Sequence, residues 1–321
     1  MKSVTSVAKT SVQPTFLGIE IGGTKLQIVT GDANAKILQR HRLAVDRAQG
    51  RDGIRRQIET TLAKILPQTK LTAVGVGFGG PVDWQTGIIC KSHHIEGWTG
   101  FELGPWLAKL THAPVFVDND ANVAALGEAF HGAGKGANPV FYVTLGSGVG
   151  GGLVVDGRIY QGAKPGEAEI GHVRLDRSGV ILESRCSGWS VDARIRALKE
   201  TNPSSVLCQL MTGPPGGEAR HLTAALKQND SAAQEILHET ATDLAFGLSH
   251  VTQLFHPEII VLGGGLTNIG EPFRAAVEHA LRPWVMEAFA PGPRISLAAL
   301  AEDVVPVGAL QLALTNSDRN I

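Results

Sequence analysis

Pro114–Glu128 reads P-V-F-V-D-N-D-A-N-V-A-A-L-G-E. Val115, Phe116 and Val117 have the composition of a short buried strand, and Ala121–Glu128 has helix-forming composition without proline. Asp118, Asn119 and Asp120 interrupt the apolar run between them. A strand that ends in two carboxylates and an amide, just ahead of a helix, sets those groups at a sheet's C-terminal edge, where open α/β folds bind ligands. Two readings stay open for this stretch alone: Asp118 or Asp120 caps the helix, or one of them faces a substrate.

The chain around it has 321 residues, long for one core and comfortable for two domains. Apolar residues make up 43% and charged residues 18%, so a sizeable core is available and disorder is not expected. Thirty-nine glycines against 5% aromatics imply many tight turns and close backbone approaches. A formal net charge of −1 without a long basic run argues against nucleic acid and membrane surfaces as partners. Cys90, Cys186 and Cys208 are widely spaced and form no C-x-x-C, which indicates neither a disulfide framework nor a cysteine-rich zinc site. No window approaches 18 consecutive apolar residues, and the N-terminus lacks the apolar core of a signal peptide. A frayed tail on a soluble, reduced, cytoplasmic protein is the expectation.

Upstream, Phe16–Thr30 reads as strand, Gly22-Gly23 turn, strand. Small residues at such a tip expose consecutive N–H groups that can form an anion-binding nest, although an ordinary hairpin turn fits equally well. Thr24 adds a hydroxyl, Lys25 a charge, and Glu20 a carboxylate placed where it could face a metal ion. Gly53–Leu66 has helical spacing (Ile54, Ile58, Leu62, Ile65) and stops at Pro67. Leu71–Pro81 is a buried strand running into Gly79-Gly80-Pro81; its match to G-x-G-x-x-G is discarded because no helix follows. Ser92–Leu107, with His93, His94, Glu96, Trp98 and Trp106, reads as a polar and aromatic loop, either a sugar-facing surface or an ordinary loop.

Downstream, Val140–Gly152 repeats the plan of Phe16–Val29: apolar strand, glycine-rich turn (Gly146, Ser147, Gly148), apolar strand. Asp156-Gly157 then joins Leu153–Val155 to Arg158–Tyr160 as a hairpin. The two units, with Glu20 and Thr144 roughly 124 residues apart, suggest a duplicated fold that grips one phosphate chain from both sides. Pro165–Asp176 carries Glu167, Glu169, His172 and Asp176, and Glu183 follows. Such a dense polar segment could hydrogen-bond a polyol or consist of satisfied structural groups. Asn202–Gly217 reads as a loop, and Ser231-Ala232-Ala233-Gln234 as a capping box opening a helix to Phe255. Glu258–Leu262 is a strand ending in Gly263-Gly264-Gly265, Glu271–Phe289 a helix kinked at Pro283, and Val307–Leu314 a helix returning to the first domain.

Taken in order, I-G-G-T-K, V-D-N-D-A-N-V-A-A-L-G-E, T-L-G-S-G-V-G-G-G, E-I-G-H and V-L-G-G-G-L resemble the motifs of the ROK family (repressor, ORF, kinase) over about Phe16–Leu314. The resemblance implies an α/β, two-domain actin-like ATPase (duplicated ribonuclease H-like) fold with an interdomain cleft. A tail of residues 1–14 would precede a small domain of 15–119 plus 307–321 and a large domain of 120–306. It implies an ATP- and Mg²⁺-dependent hexose kinase, glucokinase-like, that works as a homodimer. By position, Asp120 matches the catalytic base, and Asn119, Glu169, His172, Glu183, Gly79 and Gly80 match sugar contacts. Glu20, Gly22, Gly23, Thr24, Lys25, Thr144, Gly146, Ser147, Gly148, Gly263, Gly264 and Gly265 match the nucleotide side. Such chemistry needs mainly positioning, charge neutralisation and one carboxylate to accept the hydroxyl proton.

Three departures from the family pattern are visible. Glu20 stands where Asp is usual, one methylene longer near the expected Mg²⁺, which demands tight octahedral geometry. No cysteine lies between His172 and Glu183, so no structural zinc is expected. His94-Ile95-Glu96-Gly97-Trp98 replaces N-L-P-G-W, which would alter the hydroxyl or N-acetyl pattern accepted. The competing reading is a non-catalytic or weakly active sugar-sensing regulator; only about fifteen residues precede the first strand, too few for a DNA-binding helix-turn-helix.

Overall fold

Among the described residues, ten strands assemble into two five-stranded mixed sheets that share one strand plan. The computed structural model describes residues 14–92, 95–166 and 168–317. Residues 1–13 of the N-terminal tail, His93 and His94 of the replaced motif, and Glu167 lie outside the described residues. The first sheet is built from β1 (Thr15–Ile21), β2 (Lys25–Gly31), β3 (Ile37–Ala44) and β4 (Leu71–Phe78). A small ribbon of β5 (Val82–Asp83) and β6 (Ile88–Ile89) precedes its last strand, β7 (Val115–Asn119). The order is β3-β2-β1-β4-β7, with β1–β3 an antiparallel meander and β1, β4 and β7 parallel.

The second sheet uses β8 (Val140–Leu145), β9 (Val149–Val155), β10 (Arg158–Ile159), β11 (Ile259–Gly263) and β12 (Arg294–Leu297). Its order, β10-β9-β8-β11-β12, and its parallel and antiparallel pairings repeat the first sheet strand for strand. The repeat visible in the two glycine hairpins therefore extends to the whole sheet.

The C-terminal helix begins at Val304, earlier than Val307, and runs to Ser317. It does return to the first sheet, packing on β1 and β4 and against the Asp120–His131 helix. Glycine permits the approach: a Cβ on Gly75 would overlap the Ala309 carbonyl, and one on Gly77 would come 2.6 Å from Val305 Cγ1. The false dinucleotide fingerprint in β4 is thus a helix-packing surface.

Several boundaries differ from the sequence reading. The Ser231–Phe255 helix forms as expected, but Asp230 is its cap, accepting the Ala233 N–H at 2.8 Å. The Glu271 helix ends at Leu281 and passes into a 3-10 turn over Arg282–Trp284, so Pro283, which has no N–H to donate, terminates it instead of kinking it. Val206–Leu210 is a short helix inside the expected loop, and Leu103–Thr111 a helix where a loop was read. Trp98 is no sugar-facing residue: it is fully buried, edge-on to Phe78 and Phe101 at 5.3 Å each. Trp106 packs edge-on to Phe101, with the Arg55 guanidinium over its ring. Among the described residues no helix is long and apolar enough to cross a membrane.

Candidate active site

The parallel strands β1, β4 and β7 end level with one another: Glu20 pairs with Gly77, Gly77 with Asp118, and Phe78 with Asn119. The helix that follows starts at Asp120, and its cap is Asn119, whose Oδ1 accepts from Ala121 N (2.8 Å) and Asn122 N (3.4 Å). The cap is thus the amide between the two aspartates. Asn119 Nδ2 donates to the Gly80 carbonyl at 3.3 Å. A Cβ on Gly79 would sit 3.4 Å from Asp120 Oδ2 and 3.5 Å from the Ile21 carbonyl, so Asp120 lies over bare backbone at the first glycine turn.

Burial, and after it the negative charge of Glu20, pushes Asp120 up to about 7, against the backbone N–H groups of Ala121 and Asp120 and the Lys25 charge. A carboxylate with this acidity is poised to take up a proton near neutral pH. Asp118 is buried and lines a different cavity, with Trp84, Gln85 and Gln161. Burial raises it to about 6 against hydrogen bonds from Asn122, Gln161 and Asn119.

Glu20 is braced from two sides. Its Oε1 lies 3.0 Å from Lys25 Nζ, and its Oε2 accepts from Gln27 Nε2 at 2.7 Å. Gln27 Oε1 accepts from Arg42 Nε (3.2 Å) and Arg40 Nη1 (3.4 Å), and these arginines pair with Glu302 and Asp303. Gln27 and its arginine partners were not singled out in the sequence. The available signal was a buried amide in an otherwise apolar strand.

Glu20, Lys25, Asp120, Thr144, Gly264 and Gly265 line one cavity of about 510 Å³. Gly265 and Asn268 also line a second, of about 470 Å³, with Gly146, Ser147, Trp189 and Arg220. Together they draw groups from both sheets to one cleft. Asp192, which lines the second cavity, accepts the N–H groups of Gly217 and Ala219 and so orders that wall. These wall residues were missed; among them only Gly217 falls in the glycine- and proline-rich run read as loop. Gly263 is not brought to the cleft: it ends β11 with the Tyr142 ring where its Cβ would be.

The expected sugar contacts divide into two groups. Gly79, Gly80, Asn119 and Asp120 meet as described. Glu169 precedes and His172 ends the Ile170–His172 turn, with His172 Nδ1 3.3 Å from Glu169 Oε2 and both side chains open to solvent. Glu183 Oε2 accepts the Val149 N–H at 2.9 Å and lies where a Gly148 Cβ would be, so it fixes the second glycine turn directly. Gly171 packs on the Val149 carbonyl, which brings the Glu169–His172 turn to the same point on β9.

Among the described residues no group of three or more His, Cys, Asp or Glu could hold a metal ion. Cys186 is buried, and burial pushes its thiol up to about 12. A Mg²⁺ brought by phosphates asks less, one carboxylate and mostly phosphate and water oxygens. The residues fit that demand: Glu20 is an ordered carboxylate at the cleft, and the charge it shares with Asp120 is one a cation would relieve.

Comparison with protein families matches the ROK family over residues 16–316. A glucokinase of Thermotoga maritima is 29% identical over 92% of this chain and 96% of its own length. A glucokinase of Halalkalibacterium halodurans is 30% identical over 91% and 93%. A ROK family glucokinase from Streptomyces griseus, crystallised with glucose and AMPPNP, superposes with a TM-score of 0.81 at 28% identity, covering 94% of this chain and all of that one. The shared architecture is the actin-like ATPase fold. With the family matched over nearly its whole length, the chain belongs to the ROK family.

Proposed function

We propose that this chain is an ATP-dependent hexose kinase that transfers the γ-phosphoryl group to the 6-hydroxyl of a hexose, with glucose as the acceptor. The observation that carries the reading is Asp120: the first residue of its helix, set over the Gly79 backbone at the cleft, and raised to about 7. Asp120 accepts the hydroxyl proton as the sugar oxygen bonds to phosphorus and the bond to the ADP oxygen breaks. Asn119, Glu169, His172 and Glu183, with the Gly79-Gly80 backbone, hold the other hydroxyls. Gly22, Gly23, Thr24 and Lys25 on one side and Thr144, Gly146, Ser147 and Gly148 on the other receive the phosphates through N–H groups, hydroxyls and the Lys25 charge. Gly264 and Gly265 leave room for the nucleoside, with the Trp189 ring in the wall of that cavity. A Mg²⁺ held through Glu20 would neutralise phosphate charge.

The two lobes, taken as 15–119 with 307–321 and 120–306, would close on the substrates and exclude water as a competing acceptor. The named relatives support glucose and ATP. A cytoplasmic homodimer follows from the same reading, and the exposed Tyr160, Leu254 and Phe255 offer an apolar face for it. Light scattering after size-exclusion chromatography tests the dimer, and a monomer at micromolar concentration contradicts it.

One observation favours a weakly active sugar binder: both Glu20 oxygens already have protein partners. ADP release with ATP and Mg²⁺ across glucose, fructose, mannose, N-acetylglucosamine and N-acetylmannosamine decides between the readings. Turnover confined to one sugar and lost in Asp120→Asn supports the kinase. Sugar-induced thermal stabilisation without turnover supports the binder.

A further inference from the structure

Between β10 and the Glu169–His172 turn, residues Tyr160–Gly166 form a strap that touches the other sheet. Gln161 Nε2 donates to Asp118 Oδ2 at 2.5 Å. Lys164 Nζ lies 3.1 Å from each carboxylate oxygen of Asp83 on β5. The strap closes on itself, because Gly166 packs where a Cβ would overlap the Gln161 carbonyl, and Asn122 Nδ2 reaches the Gly166 carbonyl at 3.5 Å.

Asp118 receives this strap at the end of β7. It is 3% exposed, and its donors are neutral: Asn119 N (2.8 Å), Asn122 Nδ2 (3.0 Å) and Gln161 Nε2. A buried carboxylate held only by N–H groups loses much when one is removed. The same bonds reach the reacting end. Asp118 Oδ1 fixes the direction of the Asn119 N–H, Asn119 caps the helix, and Asp120 is the first helical residue. Neither Asp118 nor Gln161 has a part in the chemistry described above.

We propose that Asp118 and Gln161 are positioning residues. Their hydrogen bond ties the strap that leads to Glu169 and His172 to the strand end that bears Asn119 and Asp120, so the far sugar contacts and the base stay in one register. This rests on the kinase reading. A displacement of about 1 Å at a reacting group costs on the order of 10²-fold in rate, so a loosened strap would act on kcat and on sugar KM, not on nucleotide binding.

The test is an exchange of donor and acceptor. Gln161→Glu sets two carboxylates against each other; adding Asp118→Asn restores one donor and one acceptor, because the amide oxygen still accepts from Asn119 and Asn122. Gln161→Met, which keeps the length but cannot donate, is the second variant. Steady-state kinetics at pH 8 should show kcat lowered about 10- to 100-fold in Gln161→Glu, with glucose KM raised and ATP KM within about twofold of wild type. The double variant should recover to within about threefold of wild type, and Gln161→Met should fall between.

Wild-type rates in Gln161→Glu, no recovery in the double variant, or ATP KM rising in step with the lost kcat would overturn the proposal. Hydrogen exchange read by mass spectrometry keeps the two claims apart. If wild type turns over no sugar, the kinase reading fails. Faster exchange over residues 118–123 and 168–173 in Gln161→Glu, reversed in the double variant, would still support the coupling, and unchanged exchange there would overturn it.

Discussion

A side chain that takes a proton from an alcohol near pH 7 needs a pKa well above that of ordinary aspartate. Burial and the neighbouring Glu20 supply it for Asp120. The base must be ionised, so kcat/KM should fall as pH drops through about 7, and a pH–rate profile checks this. Glu20→Gln removes the adjacent negative charge and should move that midpoint downward, whatever it does to the rate. Asp120→Asn should lower kcat by about 10²- to 10⁴-fold. The same variant should be more stable than wild type at pH 8, because a carboxylate with a raised folded-state pKa opposes folding once ionised. The gain is nearly absent at pH 3, below the ordinary value of 3.8 and the raised value alike, and thermal melts at the two pH values read it. Asp120 was singled out through the resemblance of V-D-N-D-A-N to the family motif; D-N-D at a strand end alone left capping and substrate contact both open. Gln27 was not: its partners Arg40 and Arg42 sit on β3, a largely exposed strand without apolar alternation. Glu183 was legible as a polar group but not as a bond to Val149, which depends on a turn 34 residues away.

At the level of elements, the hairpins could be read because glycine turns stand between apolar runs, and the long helix because its apolar positions recur at helical spacing. The Leu103–Thr111 helix was hidden by Gly104-Pro105, which reads as a turn although proline is tolerated in a first helical turn. Its neighbour Trp98 looked like a surface aromatic because nothing local reveals that Phe78, from another strand, covers it. The cap of the Ser231–Phe255 helix was displaced by one residue because Asp230 is held by Ser205 and Val206, which are distant in sequence. Asp230→Ala should therefore cost at least the ~1 kcal/mol of a lost cap, and urea unfolding measures it. Gly75→Ala should cost about 1–3 kcal/mol by forcing the Val304–Ser317 helix off the sheet. An unchanged unfolding midpoint would show that the helix has room to move.

The whole molecule repeats one five-strand plan, and its cleft lies where the glycine turns of both copies come together. The duplication was legible from two hairpins with the same order of strand, glycine turn and strand. The cleft walls were not, since Trp189, Arg220 and Asn268 come from separate loops and helices with no shared pattern. If the lobes close on their substrates, glucose with a non-hydrolysable ATP analogue should reduce the radius of gyration in X-ray scattering, and Asp120→Asn should still close. The most direct measurement is the product itself: glucose labelled with ¹³C at carbon 6, incubated with the protein, ATP and Mg²⁺, and followed by ¹³C and ³¹P NMR. The account predicts a phosphorus-coupled carbon 6 signal that grows with ADP and is nearly abolished in Asp120→Asn. Free phosphate without a sugar ester, or an ester that forms equally well in Asp120→Asn, would contradict it.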